Sequence, residues 1–178
     1  MDMLERVWAT LVAEFSDLSE VEQITRASLR LSLAVLLGGV LGYERESKGK
    51  AAGLRTHMLV TLGAALFVMA IHEGGAQADA VSRVIQGIAA GIGFLCAGTI
   101  LKGNRASDVK GLTTAAGLWL STAIGISVGL GHSATAVLGT LLALLVLHCL
   151  PHGMEHKAGP GGLSANQPEQ QREDRDVP

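Results

Sequence analysis

Cysteine and aromatic rings are scarce in this chain. Its 178 residues include two Cys, three Phe, one Tyr and two Trp. Cys96 and Cys149 lie in different apolar runs, with no CxxC and no Cys/His ligand spacing. That excludes a disulfide framework and a zinc site. No Ser/His/Asp or Cys/His set has motif spacing, so no catalytic residue is assigned. The start, Met1-Asp2-Met3-Leu4-Glu5-Arg6, lacks the apolar centre of a signal peptide, so no cleaved leader is expected. Acidic residues are missing from the interiors of the apolar runs, which offer only Thr, Ser, Gln86, Gly and Cys as softer groups. A cation pathway normally carries ionisable residues at mid-depth, so the pattern argues against one. Backbone carbonyls remain as pore ligands.

What the chain does have is long apolar blocks. Hydrophobic residues make up 48% at a net charge of −2. That defines a polytopic membrane protein rather than a soluble globule. A helix needs roughly 20 mostly apolar residues to cross about 30 Å of hydrocarbon. Five such segments are expected, at about 27–43, 56–72, 84–101, 111–130 and 134–150, with Pro151 ending the last. The fold class is therefore all-α: a five-helix transmembrane bundle with an N-terminal amphipathic helix. Residues 3–25 place Met3, Leu4, Val7, Trp8, Leu11, Val12, Phe15 and Leu18 on one stripe. This helix within 1–26 either lies at the interface or packs on the bundle. Arg30 sits one turn inside the first span and reaches the boundary by snorkelling. Residues 151–178 have almost no large apolar side chain and are expected to be a disordered tail.

Lys and Arg in the short loops set the orientation. Arg45, Lys48, Lys50 and Arg55 lie between spans 1 and 2; Lys102, Arg105 and Lys110 lie between spans 3 and 4. Both loops and the tail are expected in the cytoplasm, with the N-terminus outside.

Small residues recur at helical spacing. Gly38 and Gly42 form one row, and Gly87 and Gly91, or Ala89, Gly93 and Ala97, form others beside Gly98. Gly117, Ser121, Gly125 and Gly129 make the longest row. Such rows let helix backbones touch. Span 3, small on more than one face, is expected to be central. The row in span 4 packs within the chain or builds a homodimer.

The loop 42–57 gathers Glu44, Arg45, Glu46, Lys50, Arg55, Thr56 and His57. Glu44–Lys48 and Glu46–Lys50 are i,i+4 pairs in the favoured order, each worth about 0.2–0.5 kcal/mol. Span 1 is therefore expected to continue as a helix to about Lys50, with Gly53 as breaker. Spans 2 and 4 begin on this side, the latter at Gly111-Leu-Thr113-Thr114, with Ser107 or Asp108 as cap. Two helix starts beside Arg45, Lys50 and Lys102 form an anion-attracting face, suited to a phosphate, a lipid headgroup or a carboxylate. Glu44 or Glu46 could satisfy the same groups from within. No metal or cofactor site is assigned: Glu44, Glu46 and Asp108 all have basic neighbours. His57 reads as an interfacial polar residue.

Three blocks carry a family likeness. They are Gly42-Tyr-Glu-Arg-Glu46 with Lys50 and Gly53-Leu-Arg-Thr-His-Met-Leu-Val60; Arg83-Val84 leading to Gly91-Ile-Gly-Phe-Leu95 and Ala97-Gly-Thr-Ile100; and Gly111-Leu-Thr-Thr-Ala-Ala116 with Trp119. The set resembles the MgtC/SapB family of bacterial inner-membrane proteins. The resemblance implies a five-span membrane domain and a role in growth under magnesium limitation. In pathogens it also implies survival inside macrophages. Members were first named as Mg²⁺ transport proteins; for virulence-type members, inhibition of the F-type ATP synthase is the more accepted role. This chain departs from the pattern at Cys96, where the family usually has Gly. It also reads as lacking the soluble C-terminal domain of longer members. The partners implied are the bilayer and another membrane complex, an ATPase or a transporter. A homodimer is the further candidate, and no nucleic acid is expected. The function expected is non-enzymatic regulation of magnesium or ion homeostasis; the alternative is a small transporter or channel.

Overall fold

A computed structural model describes residues 2–14, 20–72, 77–102 and 109–149. The expectations for the tail 151–178, for Arg105 and for Ser107 or Asp108 as cap lie outside them.

Helix α1 covers Met3–Glu14, and α2 covers Val21–Ser47. Residues 21–25 therefore belong to the first long helix, not to the amphipathic one. Helix α1 buries none of its residues, and Trp8 is 70% exposed. Its apolar stripe is thus not packed on the bundle. Helices α3 (Leu54–His72), α4 (Ala78–Gly98), α5 (Leu112–Gly129) and α6 (Ser133–Cys149) follow. Four helices, α2 to α5, are long and apolar enough to cross a membrane, and α6 is a shorter apolar helix of 17 residues. The chain is an all-α membrane bundle.

Short connections make successive helices antiparallel. One end of the bundle gathers the end of α2, the start of α3, the end of α4, the start of α5 and the end of α6. The link between α4 and α5 is not bare loop: Leu101 and Lys102 pair with Lys110 and Val109 in a two-residue antiparallel ladder. Gly111 then turns the chain with φ +97°, where a side chain would collide with the Thr99 carbonyl.

The interior alternates alanines with larger aliphatic side chains. Ala34, Leu37 and Leu41 of α2 meet Ala65 of α3, Ile124 and Val128 of α5, and Ala136 and Ala143 of α6. Gly38 lets α2 rest on the His57 carbonyl, since a Cβ there would lie 2.6 Å from that oxygen. Gly42 does the same on Leu54, at 2.7 Å from its Cα. In α5, a Cβ on Gly125 would lie 2.8 Å from the Ala64 Cβ, and one on Gly129 would lie 2.8 Å from the Ala65 carbonyl. The long small row of α5 is thus used inside the chain, against α3. That removes it as a surface for a second copy.

Helix α4 departs most from expectation. Only Val81 is buried in it. No described residue lies within 4 Å of a Cβ added at Gly87, Gly91, Gly93 or Gly98, and Phe94 is 88% exposed. It leans on one side of the bundle instead of standing at its centre. The centre is shared by α3 and α5. Helix spacing alone marks a face as able to pack closely; it does not supply the neighbour.

Two long cations pin the ends. Arg30 Nη1 donates to the Gly129 carbonyl at 3.2 Å, tying α2 to the end of α5. Its guanidinium also lies against Gly131, which turns the chain into α6 at φ +85°. At the opposite end Lys48 Nζ donates to the Leu147 carbonyl at 3.3 Å, near the end of α6. Both satisfy carbonyls that a helix leaves open, at the pole that favours positive charge.

Candidate functional site

The buried face of α2 runs Ala34, Leu37, Gly38, Leu41, Gly42 and then Arg45. That is one helical stripe, and the guanidinium continues where the aliphatics stop. Arg45 has 0% exposure. Its Nε donates to the Glu44 carboxylate. The other Glu44 oxygen lies 2.9 Å from Lys48 Nζ, so the expected Glu44–Lys48 pair forms. Together these three side chains carry a net single positive charge.

The expected Glu46–Lys50 pair does not form, because Glu46 has another role. Its carboxylate accepts the Leu54 backbone N–H at 2.8 Å and so caps the start of α3. That end of α3 is satisfied from within, as one of the two sequence readings had it. Helix α2 ends at Ser47, and Lys50 turns back so that its N–H bonds the Arg45 carbonyl at 3.0 Å.

His57 stands in the first turns of α3. It is not interfacial: its exposure is 0%. Its Nδ1 lies 2.7 Å from Ser121 Oγ of α5. Arg45 and Glu44 both lie within electrostatic reach of the ring. Gly117, one turn before Ser121, leaves the imidazole room, with its absent Cβ 3.5 Å from His57 Cε1. The Thr61 hydroxyl donates to the His57 carbonyl at 3.0 Å. Thr114, at the start of α5, is also buried.

The predicted face thus divides. Glu44, Arg45, His57 and Thr114 turn inward, Thr56 is half-buried, and Arg55, Glu46 and Thr113 stay exposed. Lys102 sits in the ladder, and its side chain is outside the described residues. Ser121 was read only as a small packing residue. The inward stripe that ends on Arg45 was the signal for a buried charge. Cys96 faces α5 and its thiol lies 3.2 Å from the Ala115 carbonyl as donor.

Among the described residues four polar atoms at this centre are buried without a hydrogen-bond partner: Arg45 Nη1, Arg45 Nη2, His57 Nε2 and Glu44 Oε1, the last of which is ion-paired with Lys48. Unmade bonds of this kind are expensive, about 1–3 kcal/mol each and more when the group is charged. Among the described residues no three His, Cys, Asp or Glu side chains gather as metal ligands.

A membrane bundle with a buried basic centre at one end is the class that fold and site define. Residues 31–155 match the family model described as the MgtC family. The chain belongs to that family. It is 45% identical to "Protein SrpB" of Synechococcus elongatus over 131 residues, covering 67% of this chain and 72% of that one. It is 40% identical over 126 residues to "Putative magnesium transporter YhiD" of Escherichia coli K12, covering 67% of this chain and 58% of the relative. "Protein MgtC" of Salmonella typhimurium is 41% identical over 116 residues, covering 65% of this chain and 48% of the relative. The chain therefore spans about half of the last two. No solved structure matches it.

Proposed function

We propose that this chain is a non-enzymatic membrane regulator of magnesium or ion homeostasis. It acts by contact with another membrane complex, a transporter or an F-type ATPase. The magnesium link is supported by family membership and by the names of the relatives. The regulatory part is supported by the charge at the buried centre. Arg45 is a permanent cation, shielded from water and flanked by Lys48. A divalent cation moving through this end of the bundle would meet like charge at low dielectric. The same centre attracts anions and acidic partner groups. The excess of Lys and Arg around it supports the reading that this end faces the cytoplasm of a bacterial inner membrane.

Reconstitution into liposomes with a Mg²⁺-sensitive dye inside is the test. Regulation predicts no protein-dependent flux, and restored growth of a deletion strain at low magnesium. It also predicts a membrane complex captured with the chain from native membranes. The Escherichia coli relative's name favours a second reading, transport of Mg²⁺ itself. Flux that depends on the protein and stops with an inactivating substitution would establish that reading instead.

A further inference from the structure

The three unpartnered nitrogens share a chemical sense, and the fourth atom, Glu44 Oε1, faces the Lys48 ammonium as an ion pair. Arg45 Nη1 and Nη2 are donors only. The role of His57 Nε2 follows from Ser121. Thr122, Ser127 and Thr140 each donate their hydroxyl to the carbonyl four residues back. Ser121 makes no such bond among the described residues; its contact is His57 Nδ1. The arrangement that satisfies both groups has Ser121 donating to Nδ1, which leaves the ring proton on Nε2. So Nη1, Nη2 and Nε2 all present N–H groups, and none has an acceptor. Glu44 is already engaged with Arg45 Nε and with Lys48.

We propose that Arg45 and His57 form an oxyanion site of phosphate type at this end of the bundle. The paired terminal nitrogens of a guanidinium match two oxygens of one phosphate, and an imidazole N–H can take a third. Occupation supplies the missing acceptors and offsets the net positive charge of the Glu44, Arg45 and Lys48 group. The phosphate is that of an anionic phospholipid headgroup or of free phosphate. The centre is closed in this state, so entry requires the ends of α2 and α3 to part. This deepens the regulatory reading and rests on the same residues, yet its readout is binding rather than flux.

Full-length protein in neutral detergent is titrated with inorganic phosphate at constant ionic strength, against chloride, while thermal unfolding is followed. A parallel arm compares nanodiscs of phosphatidylcholine alone with nanodiscs containing phosphatidylglycerol. A phosphate-dependent rise in the unfolding midpoint, or one specific to phosphatidylglycerol, is expected; which arm responds identifies the source. Arg45→Lys keeps the charge but loses the fork. It should weaken the response about tenfold or more, as loss of a charge-assisted hydrogen bond does. His57→Leu, which leaves Arg45 intact if the Arg45 variant does not fold, should weaken it similarly. Arg26→Gln, at the far end of α2, should not. No response in either arm overturns the proposal, as does an equal response from all variants. Mg²⁺ flux alongside specific phosphate binding would remove the regulatory reading and leave this site standing.

Discussion

Glu44 and Arg45 are neighbours in sequence, and their pairing decides how a guanidinium survives inside the bundle. Three donors there already lack partners, and Glu44 supplies the acceptor that one further nitrogen has. Glu44→Gln keeps the shape and removes the charge. It should lower stability by about 3 kcal/mol, the scale seen when one half of a buried pair is removed. Thermal unfolding in detergent measures it. Glu46→Gln preserves an acceptor for the Leu54 N–H and should change stability by well under 1 kcal/mol; an equal loss from both would show that Glu44 acts only as surface charge. Arg30 makes a comparable case at the other end. Arg30→Leu strips a donor from the Gly129 carbonyl and should destabilise by about 1.5–3 kcal/mol, with no effect on phosphate response.

At the scale of the helix, glycine rows of identical spacing meet opposite fates. Gly125 lies on the Thr61 carbonyl and the Ala64 methyl, groups that cannot rotate away. Gly125→Ala should destabilise by about 1–3 kcal/mol, and Gly38→Ala by a similar amount. Gly91→Ala and Gly93→Ala meet open space and should be neutral, or stabilise by up to about 1 kcal/mol through helix propensity. Unfolding midpoints of the four variants, measured side by side, check the contrast; destabilisation by the α4 substitutions would mean that this face is covered. The comparison also shows what a sequence can tell. The rows themselves were legible, as were the apolar runs, because each is a property of one helix. Which row is used was not, because that is a property of two. The same holds for charges. Glu46 and Lys50 have ideal spacing for a helical pair, but α2 ends at Ser47 and the backbone N–H of Leu54 is the better partner. His57 reads as an interfacial residue in the Arg55-Thr56-His57 stretch that opens its span; only the packing of α5 against α3 brings Ser121 to it.

For the whole molecule, the surfaces left open differ in kind. On α6 they carry Val137, Leu138, Leu141, Leu142, Leu145 and Val146, which suits lipid tails. On α1 an apolar stripe with Trp8 lies uncovered beside Glu5 and Arg6, which suits an interface plane. These surfaces agree with one threading, in which the end of α2 and the start of α5 emerge together and the turn at Gly131-His132 emerges opposite. Single cysteines at Ser47, Lys110 and His132, in a Cys96→Ser, Cys149→Ser background, test that threading with a membrane-impermeant maleimide. Ser47→Cys and Lys110→Cys should label only in inside-out vesicles, and His132→Cys only in intact spheroplasts. This orientation is the one expected from the charge bias, because both connections rich in Lys and Arg lie at one end. Labelling of all three from one side would break the bundle itself. Labelling with every side reversed would keep the bundle and turn it over, placing the Arg45 centre outside, where a cytoplasmic phosphate or partner could not reach it.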